Sequence, residues 1–131
     1  MHEERIPIRW RDMDAYGHVN NAVFLTYLEE CRDAWVQKIL GSATDTWDFV
    51  LARVAIDYRS ELKQSDQAVI VTCRLQGIGR ASVRTREEIR KLDGTLVAEA
   101  ESVIVPRDSS TGRSRALTAE ERAALEREAA N

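Results

Sequence analysis

The stretch that decides the fold, residues 11–21, reads RDMDAYGHVNN and stands directly before a long apolar pattern. Asn20 and Asn21 can both cap a helix, because a short amide oxygen accepts hydrogen bonds from backbone N–H groups one turn further on. We expect the helix to begin near Asn20 and to end at Gly41, where glycine can adopt the left-handed conformation that closes a helix. The Asp14 carboxylate would then lie beside the free amides of a helix N-terminus, an acid or base next to an anion-binding site.

Apolar residues in the expected helix recur at spacings of three and four, which puts them on one face. They are Phe24, Leu28, Cys31, Trp35 and Ile39, with Tyr27 and Ala34 widening the stripe. Charged residues, Arg32 among them, fall mostly outside this face. A helix of about five turns with so apolar a face needs a sheet to cover it.

Length and composition bound the class of protein. The chain has 131 residues, of which 44% are hydrophobic, enough for the core of one domain. Its net charge of −3 gives no overall basic field for nucleic acid or a membrane surface. No apolar run reaches the roughly 20 residues that span a bilayer, and the first residues, MHEE, lack the basic start of a signal peptide. With Cys31 and Cys73 predicted as buried free thiols, the expectation is a cytoplasmic protein.

An alternation of apolar and polar residues, the period of a half-buried strand, occurs in five places. Ile6, Ile8 and Trp10 are predicted to share one face of the first strand, in which Pro7 indicates an edge position or a strand start. The other predicted strands cover residues 50–58, 69–75, 82–90 and 96–105. Residues 93–94, Asp-Gly, give a strong hairpin signal between the last two strands.

The order of elements predicts an α+β fold, with one five-stranded antiparallel sheet curled around a long central helix. Residues 107–117 are polar and indicate a surface linker. Thr118 and Glu121 then fit a capping box at the start of a short helix. The predicted organisation is a domain over residues 1–106, followed by a linker and C-terminal helical tail over residues 107–131.

Residues 12–21, DMDAYGHVNN, followed by FLTYLEE at residues 24–30, resemble the hot-dog-fold thioesterases of the 4-hydroxybenzoyl-CoA thioesterase type. Within them the chain looks most like the branch that acts on acyl-CoA thioesters, including long-chain ones, and the resemblance covers residues 5–105. It implies a hot-dog fold and hydrolysis of an acyl-CoA without metal or other cofactor. It also implies a homodimer or homotetramer with active sites at the dimer interface.

Two residues carry the chemistry that the resemblance implies. Asp14 matches the catalytic carboxylate, which either takes a proton from water or attacks the thioester carbonyl itself. The backbone amide near Asn21 matches the group that polarises that carbonyl, helped by the positive end of the helix dipole. Asp12 would point the other way along an extended segment and is expected to be structural.

Four further residues are candidates for the site. His18 could touch the substrate but is expected to orient neighbouring groups by hydrogen bonding. Gly17 is expected to supply a positive φ or a close backbone approach to the ligand in the turn before the helix. The resemblance puts Arg80 and Ser82 near the phosphates of coenzyme A, where an arginine fits a phosphate bidentately and a serine adds a hydroxyl donor.

Two other functions stay open at this point, along with the identity of the acyl group. A non-hydrolytic hot-dog protein would bind acyl thioesters as a sensor or carrier partner. An acyl-carrier-protein thioesterase would need a basic surface, which the arginines of residues 82–90 could form. Aliphatic and aryl acids are not distinguished, although Trp47 could close or line a substrate tunnel.

Overall fold

The chain folds as a strand, a long helix, a run of four strands and a second helix. The computed structural model describes residues 1–44 and 48–130. In chain order the elements are β1 (His2–Pro7), α1 (Asn21–Leu40), β2 (Phe49–Tyr58), β3 (Ala68–Ile78), β4 (Val83–Lys91), β5 (Leu96–Pro106) and α2 (Ala119–Ala129). This is the predicted order. Neither helix of the described residues is long and apolar enough to cross a membrane.

All five strands form one antiparallel sheet in the order β1-β3-β4-β5-β2, so β1 and β2 are its edges. The predicted Asp-Gly turn joins β4 to β5, and Gly94 has a φ of +93° there. α1 packs across the inner face of the sheet over β1, β3 and β4. The predicted sheet around a central helix is confirmed, and Pro7 lies on an edge strand as expected.

The core lies between the inner face of the sheet and the apolar face of α1. Phe24, Leu28, Cys31 and Trp35 are buried as predicted, while Ile39 is only half-buried. Cys31 and Cys73 are free and fully buried, as expected. Burial raises the pKa of Cys31 to about 12, so its thiol stays protonated and unreactive at neutral pH.

The first strand is shorter than predicted. β1 ends at Pro7, and Trp10 lies in a 3-10 turn (Trp10–Asp12) with 79% of its surface exposed, so it does not share a buried face with Ile6. The chain turns here because the Asp12 carboxylate points inward and accepts the backbone N–H of Arg9 at 2.9 Å. The alternating pattern of the sequence does not show that the Asp12 carboxylate binds the Arg9 N–H and so ends the strand.

The end of α1 also differs from the expectation. Gly41 caps the helix with a φ of −60°, which is the right-handed conformation and not the left-handed one that the sequence suggested. Glycine fits this position for another reason. A Cβ on Gly41 would lie 2.4 Å from the carbonyl oxygen of Gln37, closer than a side chain tolerates.

A buried polar network lies under α1, where the sequence predicted only apolar contacts. Arg32 was expected outside the apolar face, yet only 4% of its surface is exposed. Its guanidinium donates to the fully buried Glu87 carboxylate of β4 at 3.0 Å and to the Ser102 hydroxyl of β5 at 3.3 Å. Glu87 also accepts from Ser102 at 2.9 Å and from Thr85 at 3.0 Å. The burial of Arg32 is favourable because the Glu87 carboxylate and the Ser102 hydroxyl accept its hydrogen bonds in the core.

The C-terminal helix α2 packs against α1 and β3, and Leu125 is fully buried. The predicted capping box is confirmed, with Thr118 and Glu121 each accepting the other's backbone N–H. Arg115 also donates to both carboxylate oxygens of Glu121 at 2.8 Å. Burial would raise the pKa of Glu121, but these hydrogen bonds outweigh it and lower the pKa to about 2.

Replacing Arg32 by Met should destabilise the fold strongly. The variant leaves the Glu87 carboxylate buried without its cationic partner, which costs about 3–5 kcal/mol of the free energy of unfolding. Urea unfolding of the native chain and of Arg32→Met measures the change. Lys38→Met, an exposed cation on the same helix, is the matched control and should stay within about 0.5 kcal/mol of the native value. Equal effects of the two substitutions would contradict the assigned role of the buried pair.

The contribution of Glu121 to the free energy of unfolding should decrease at acidic pH. Its pKa of about 2 lies below the ordinary value of 4.5, so its stabilising effect is complete above pH 4.5 and is lost as the pH falls toward 2. Glu121→Gln lacks this effect at every pH. The difference in free energy of unfolding between about pH 6 and about pH 3 should therefore be smaller in the variant than in the native chain. Urea unfolding at both pH values tests this, and an equal difference would count against the low pKa.

Candidate active site

The loop before α1 is folded around the carboxylate of Asp14. Its Oδ1 accepts the backbone N–H groups of Tyr16 at 2.8 Å and His18 at 3.1 Å. The Asp14 N–H donates in turn to the carbonyl of His18 at 2.7 Å. Gly17 completes the turn with a φ of +82°, as predicted. Both side-chain bonds go to Oδ1, so Oδ2 is without a hydrogen bond to any residue that the structure describes.

The first turn of α1 leaves one backbone amide available. Asn20 is the N-cap, with its side chain accepting from the Ala22 N–H at 2.9 Å. Its carbonyl accepts from the Val23 N–H, also at 2.9 Å. Within residues 1–44 and 48–130 the N–H of Asn21 has no hydrogen-bond acceptor. This amide can therefore donate to a bound carbonyl oxygen at the positive end of the helix.

The Asp14 carboxylate and the Asn21 residue face the same cleft of about 310 Å³. His18 also lines it, so three of the predicted site residues come together. The rest of the lining is Val19, Phe24 and residues 58–62. The arrangement brings a carboxylate and the start of a helix to one space, and attack on a carbonyl requires an acid or base and a donor to the oxyanion.

The far wall of the cleft follows β2 and was not predicted as part of the site. The Tyr58 hydroxyl donates to the carbonyl of Asn21 at 2.9 Å, and its ring packs edge-on against Phe24. Glu61 lies 2.9 Å from Nε2 of His18, which holds the imidazole in place. Tyr58 ends the alternating pattern of β2, but the sequence gives no sign that this strand end meets the start of α1.

Asp12 has the structural role expected of it. Only 2% of its surface is exposed, and its carboxylate accepts the Tyr27 hydroxyl at 2.7 Å and the Arg9 N–H at 2.9 Å. Burial would raise the pKa of Asp12, but the hydrogen bonds from Arg9 and Tyr27 outweigh burial and lower the pKa below its ordinary value. The carboxylate therefore stays charged. The partners of this charged carboxylate are groups of the fold itself, which is why we assign Asp12 a structural role.

Arg80 and Ser82 lie far from Asp14 within one chain. They belong to the turn of residues 79–82 between β3 and β4, which the bond from the Gly79 N–H to the Ser82 carbonyl closes at 2.8 Å. The next residue, Val83, pairs with Ile104, which pairs with Leu51 of β2. The cleft is at the Tyr58 end of that strand, roughly 23 Å along at about 3.3 Å per residue.

A second groove, of about 420 Å³, opens at the Leu51 end of β2 between that strand and α1. Phe49, Leu51 and Ile104 line its sheet side, while Val36, Glu29 and Asp33 are among the lining residues of α1. Trp47, the predicted tunnel residue, lies outside the described residues. The groove therefore has an apolar sheet side and a largely polar helix side, at the same end of the sheet as Arg80.

Known proteins resemble this chain over nearly its whole length. Residues 8–125 match the model of the thioesterase-like superfamily. The long-chain acyl-CoA thioesterase FadM of Escherichia coli strain K12 is 31% identical over an alignment of 130 residues, and the match covers 95% of this chain and 96% of FadM.

Solved structures give the same result. A thioesterase of Thermus thermophilus, complexed with coenzyme A and Zn, has a TM-score of 0.87 and 31% identity, over 99% of this chain and 95% of that one. YbaW, a probable thioesterase of Escherichia coli, has a TM-score of 0.79 and 30% identity, over 98% of both chains. These similarities confirm the hot-dog fold and the thioester hydrolase activity that the sequence resemblance implied. The chain belongs to the thioesterase-like superfamily.

Proposed function

We propose that this protein hydrolyses acyl-CoA thioesters to the free acid and coenzyme A, with Asp14 as the catalytic carboxylate. The observation that carries the proposal is the single cleft that holds the Asp14 carboxylate and the start of α1 at Asn21. The similarity to FadM, named as an acyl-CoA thioesterase, supports coenzyme A as the thiol part of the substrate.

The chemistry follows from these two groups. In one route, the Asp14 carboxylate takes a proton from water, and the water oxygen attacks the thioester carbonyl carbon. In the other route, the carboxylate itself attacks that carbon and forms an anhydride, which water then cleaves. The Asn21 N–H and the helix dipole stabilise the negative oxygen of the tetrahedral intermediate. Collapse of that intermediate breaks the carbon–sulfur bond and releases the thiolate of coenzyme A. His18, held by Glu61, orients the loop that carries Asp14.

The shape of the sheet supports a homodimer formed through β2. This strand has ten residues and a free edge, and α1 covers other strands. Leu51 and Tyr58 on its inner face are 45% and 44% exposed, which is high for large hydrophobic residues. Antiparallel pairing of two copies of β2 about a two-fold axis would cover them and extend the sheet to both subunits. Further pairing of such dimers would give the homotetramer.

This pairing would complete the site. Because the two copies of β2 run in opposite directions, the Tyr58 end of one lies beside the Leu51 end of the other. The cleft around Asp14 then meets the partner's turn of residues 79–82, where Arg80 and Ser82 can bind the phosphates of coenzyme A. The groove beside the partner's Leu51 would then lie next to the reacting carbonyl, and we assign its apolar sheet side to the acyl group.

The charges on β4 favour coenzyme A over an acyl-carrier protein as the thiol part of the substrate. An acidic carrier protein needs a basic docking surface. Arg86 pairs with Glu99 and Glu101, and Arg90 pairs with Glu88, so much of the positive charge of this strand is neutralised. The buried free thiols of Cys31 and Cys73 fit a reducing compartment, and we propose the cytoplasm as the location.

Asp14→Asn should abolish most turnover while the fold and the oligomer stay intact. Loss of a catalytic carboxylate should lower kcat by about 100-fold or more. Free-thiol release from a panel of acyl-CoAs of increasing chain length, with aryl-CoAs included, measures this and names the acyl class. Glu30→Gln, an exposed carboxylate on α1, is the control and should keep native turnover. A native protein that binds acyl-CoAs and hydrolyses none would instead be the non-hydrolytic binder.

A heterodimer of two different variant subunits should show that each active site contains residues of both chains. In a heterodimer of Asp14→Asn and Arg80→Ala subunits, one site carries both defects and the other carries neither. Co-expression with two different tags isolates this heterodimer. It should show the KM of the native protein and about half its kcat, whereas the Arg80→Ala homodimer has a raised KM. A heterodimer that keeps the raised KM would show that Asp14 and Arg80 do not act across the interface.

A further inference from the structure

The turn of residues 79–82 is fastened to the C-terminal segment by two hydrogen bonds. The Arg122 side chain donates through Nη2 to the carbonyl of Gly79 at 2.8 Å. The Leu117 N–H donates to the carbonyl of Arg80 at 2.9 Å. With the bond from the Gly79 N–H to the Ser82 carbonyl, four backbone groups of this short turn have fixed partners. The segment that presents Arg80 therefore depends on residues about 40 positions later in the chain.

The support on the C-terminal side is itself firmly held. Arg122 lies in the first turn of α2, directly after Glu121, whose buried carboxylate binds Arg115 with both oxygens. Thr118 caps the helix, and Leu125 anchors it in the core. Arg122 therefore extends from a fixed helix start, and its bond to Gly79 transmits that rigidity to the turn.

Positive charge at this turn has no acidic partner. Among the described residues, neither Arg80 nor Arg122 lies within ion-pair distance of a carboxylate. Arg122 instead donates to a neutral carbonyl next to Arg80. Positive charge at this turn, without a counter-ion from the described residues, suits an anionic ligand such as a phosphate.

We infer that Arg122 is a positioning residue for coenzyme A: its bond to Gly79 holds the turn in the conformation that presents Arg80 and Ser82 to the phosphates. The inference rests on the proposed function, in which this turn binds the coenzyme A of the partner's active site. A turn that is ordered before binding loses less conformational entropy when the ligand arrives. The phosphates are remote from the reacting carbonyl and bind equally in the ground and transition states, so the effect falls on KM and leaves kcat unchanged.

Arg122→Leu tests this with two substrates that share one acyl group. The first is the acyl-CoA that the native protein hydrolyses best, and the second is the corresponding acyl-pantetheine, which carries no phosphate. The variant should raise the KM for acyl-CoA about five- to tenfold, the effect of one lost hydrogen bond, with kcat unchanged. Its kinetics with acyl-pantetheine should equal those of the native protein, which also shows that the variant is folded. Arg127→Leu, an exposed arginine on the same helix, is the matched control.

Two more variants separate positioning from general stabilisation. Arg122→Lys keeps a donor for the Gly79 carbonyl and should restore most of the native KM. Arg80→Ala should raise the KM for acyl-CoA by itself. Adding Arg122→Leu to Arg80→Ala should then raise it little further, because the turn no longer presents the guanidinium that Arg122 positions.

Other outcomes overturn the inference in distinguishable ways. If Arg80→Ala raises the KM for acyl-CoA and Arg122→Leu does not, Arg122 has no positioning role, although the proposed function stands. An equal rise in KM for acyl-pantetheine, or a fall in kcat, would likewise exclude an effect through the phosphates. An unchanged KM in Arg80→Ala removes the phosphate contact and the inference together. Failure of the native protein to hydrolyse any thioester would refute the proposed function before any variant is compared.

Discussion

The hydrogen bond from the Tyr27 hydroxyl to the buried carboxylate of Asp12 ties the loop before α1 to the helix itself. The same aspartate accepts the Arg9 N–H through its side chain and the Asn20 N–H through its carbonyl. Burial and the Asp12 charge raise the pKa of Tyr27 well above its ordinary value, so the tyrosine keeps its proton and remains the donor. Asp14, two residues further on, takes its position at the mouth of the cleft from this anchor.

Features that depend on neighbouring residues could be predicted from the sequence. The Asn20 cap, the positive φ of Gly17, the Asp-Gly turn and the Thr118 capping box each arise within a few residues, so the local pattern carries the information. The same is true of the apolar face of α1. Asp14, His18 and Asn21 belong to the one short motif that resembles the thioesterases, and they line one cleft.

Contacts between distant residues could not be predicted, because they depend on the order of the strands. Arg32 is 55 residues from Glu87, and Tyr58 is 37 residues from Asn21. A charged residue on a helix is normally expected to be exposed, and only a carboxylate on the covering strand makes its burial favourable. The contact between Glu61 and His18 could not be predicted for the same reason. The two residues become neighbours only because β2 lies beside β5 at the edge of the sheet.

The two edges of the sheet are unlike, and this limits how the protein can assemble. β1 is short, carries the consecutive charged residues Glu3, Glu4 and Arg5 and ends at Pro7, features that discourage another strand from adding. β2 is long and flanked by exposed apolar side chains, so it is the receptive edge. In the dimer proposed above, pairing through β2 would leave β1 at both ends of the doubled sheet. Growth by strand addition would then end at the first step, so this dimer would protect the chain from fibre formation.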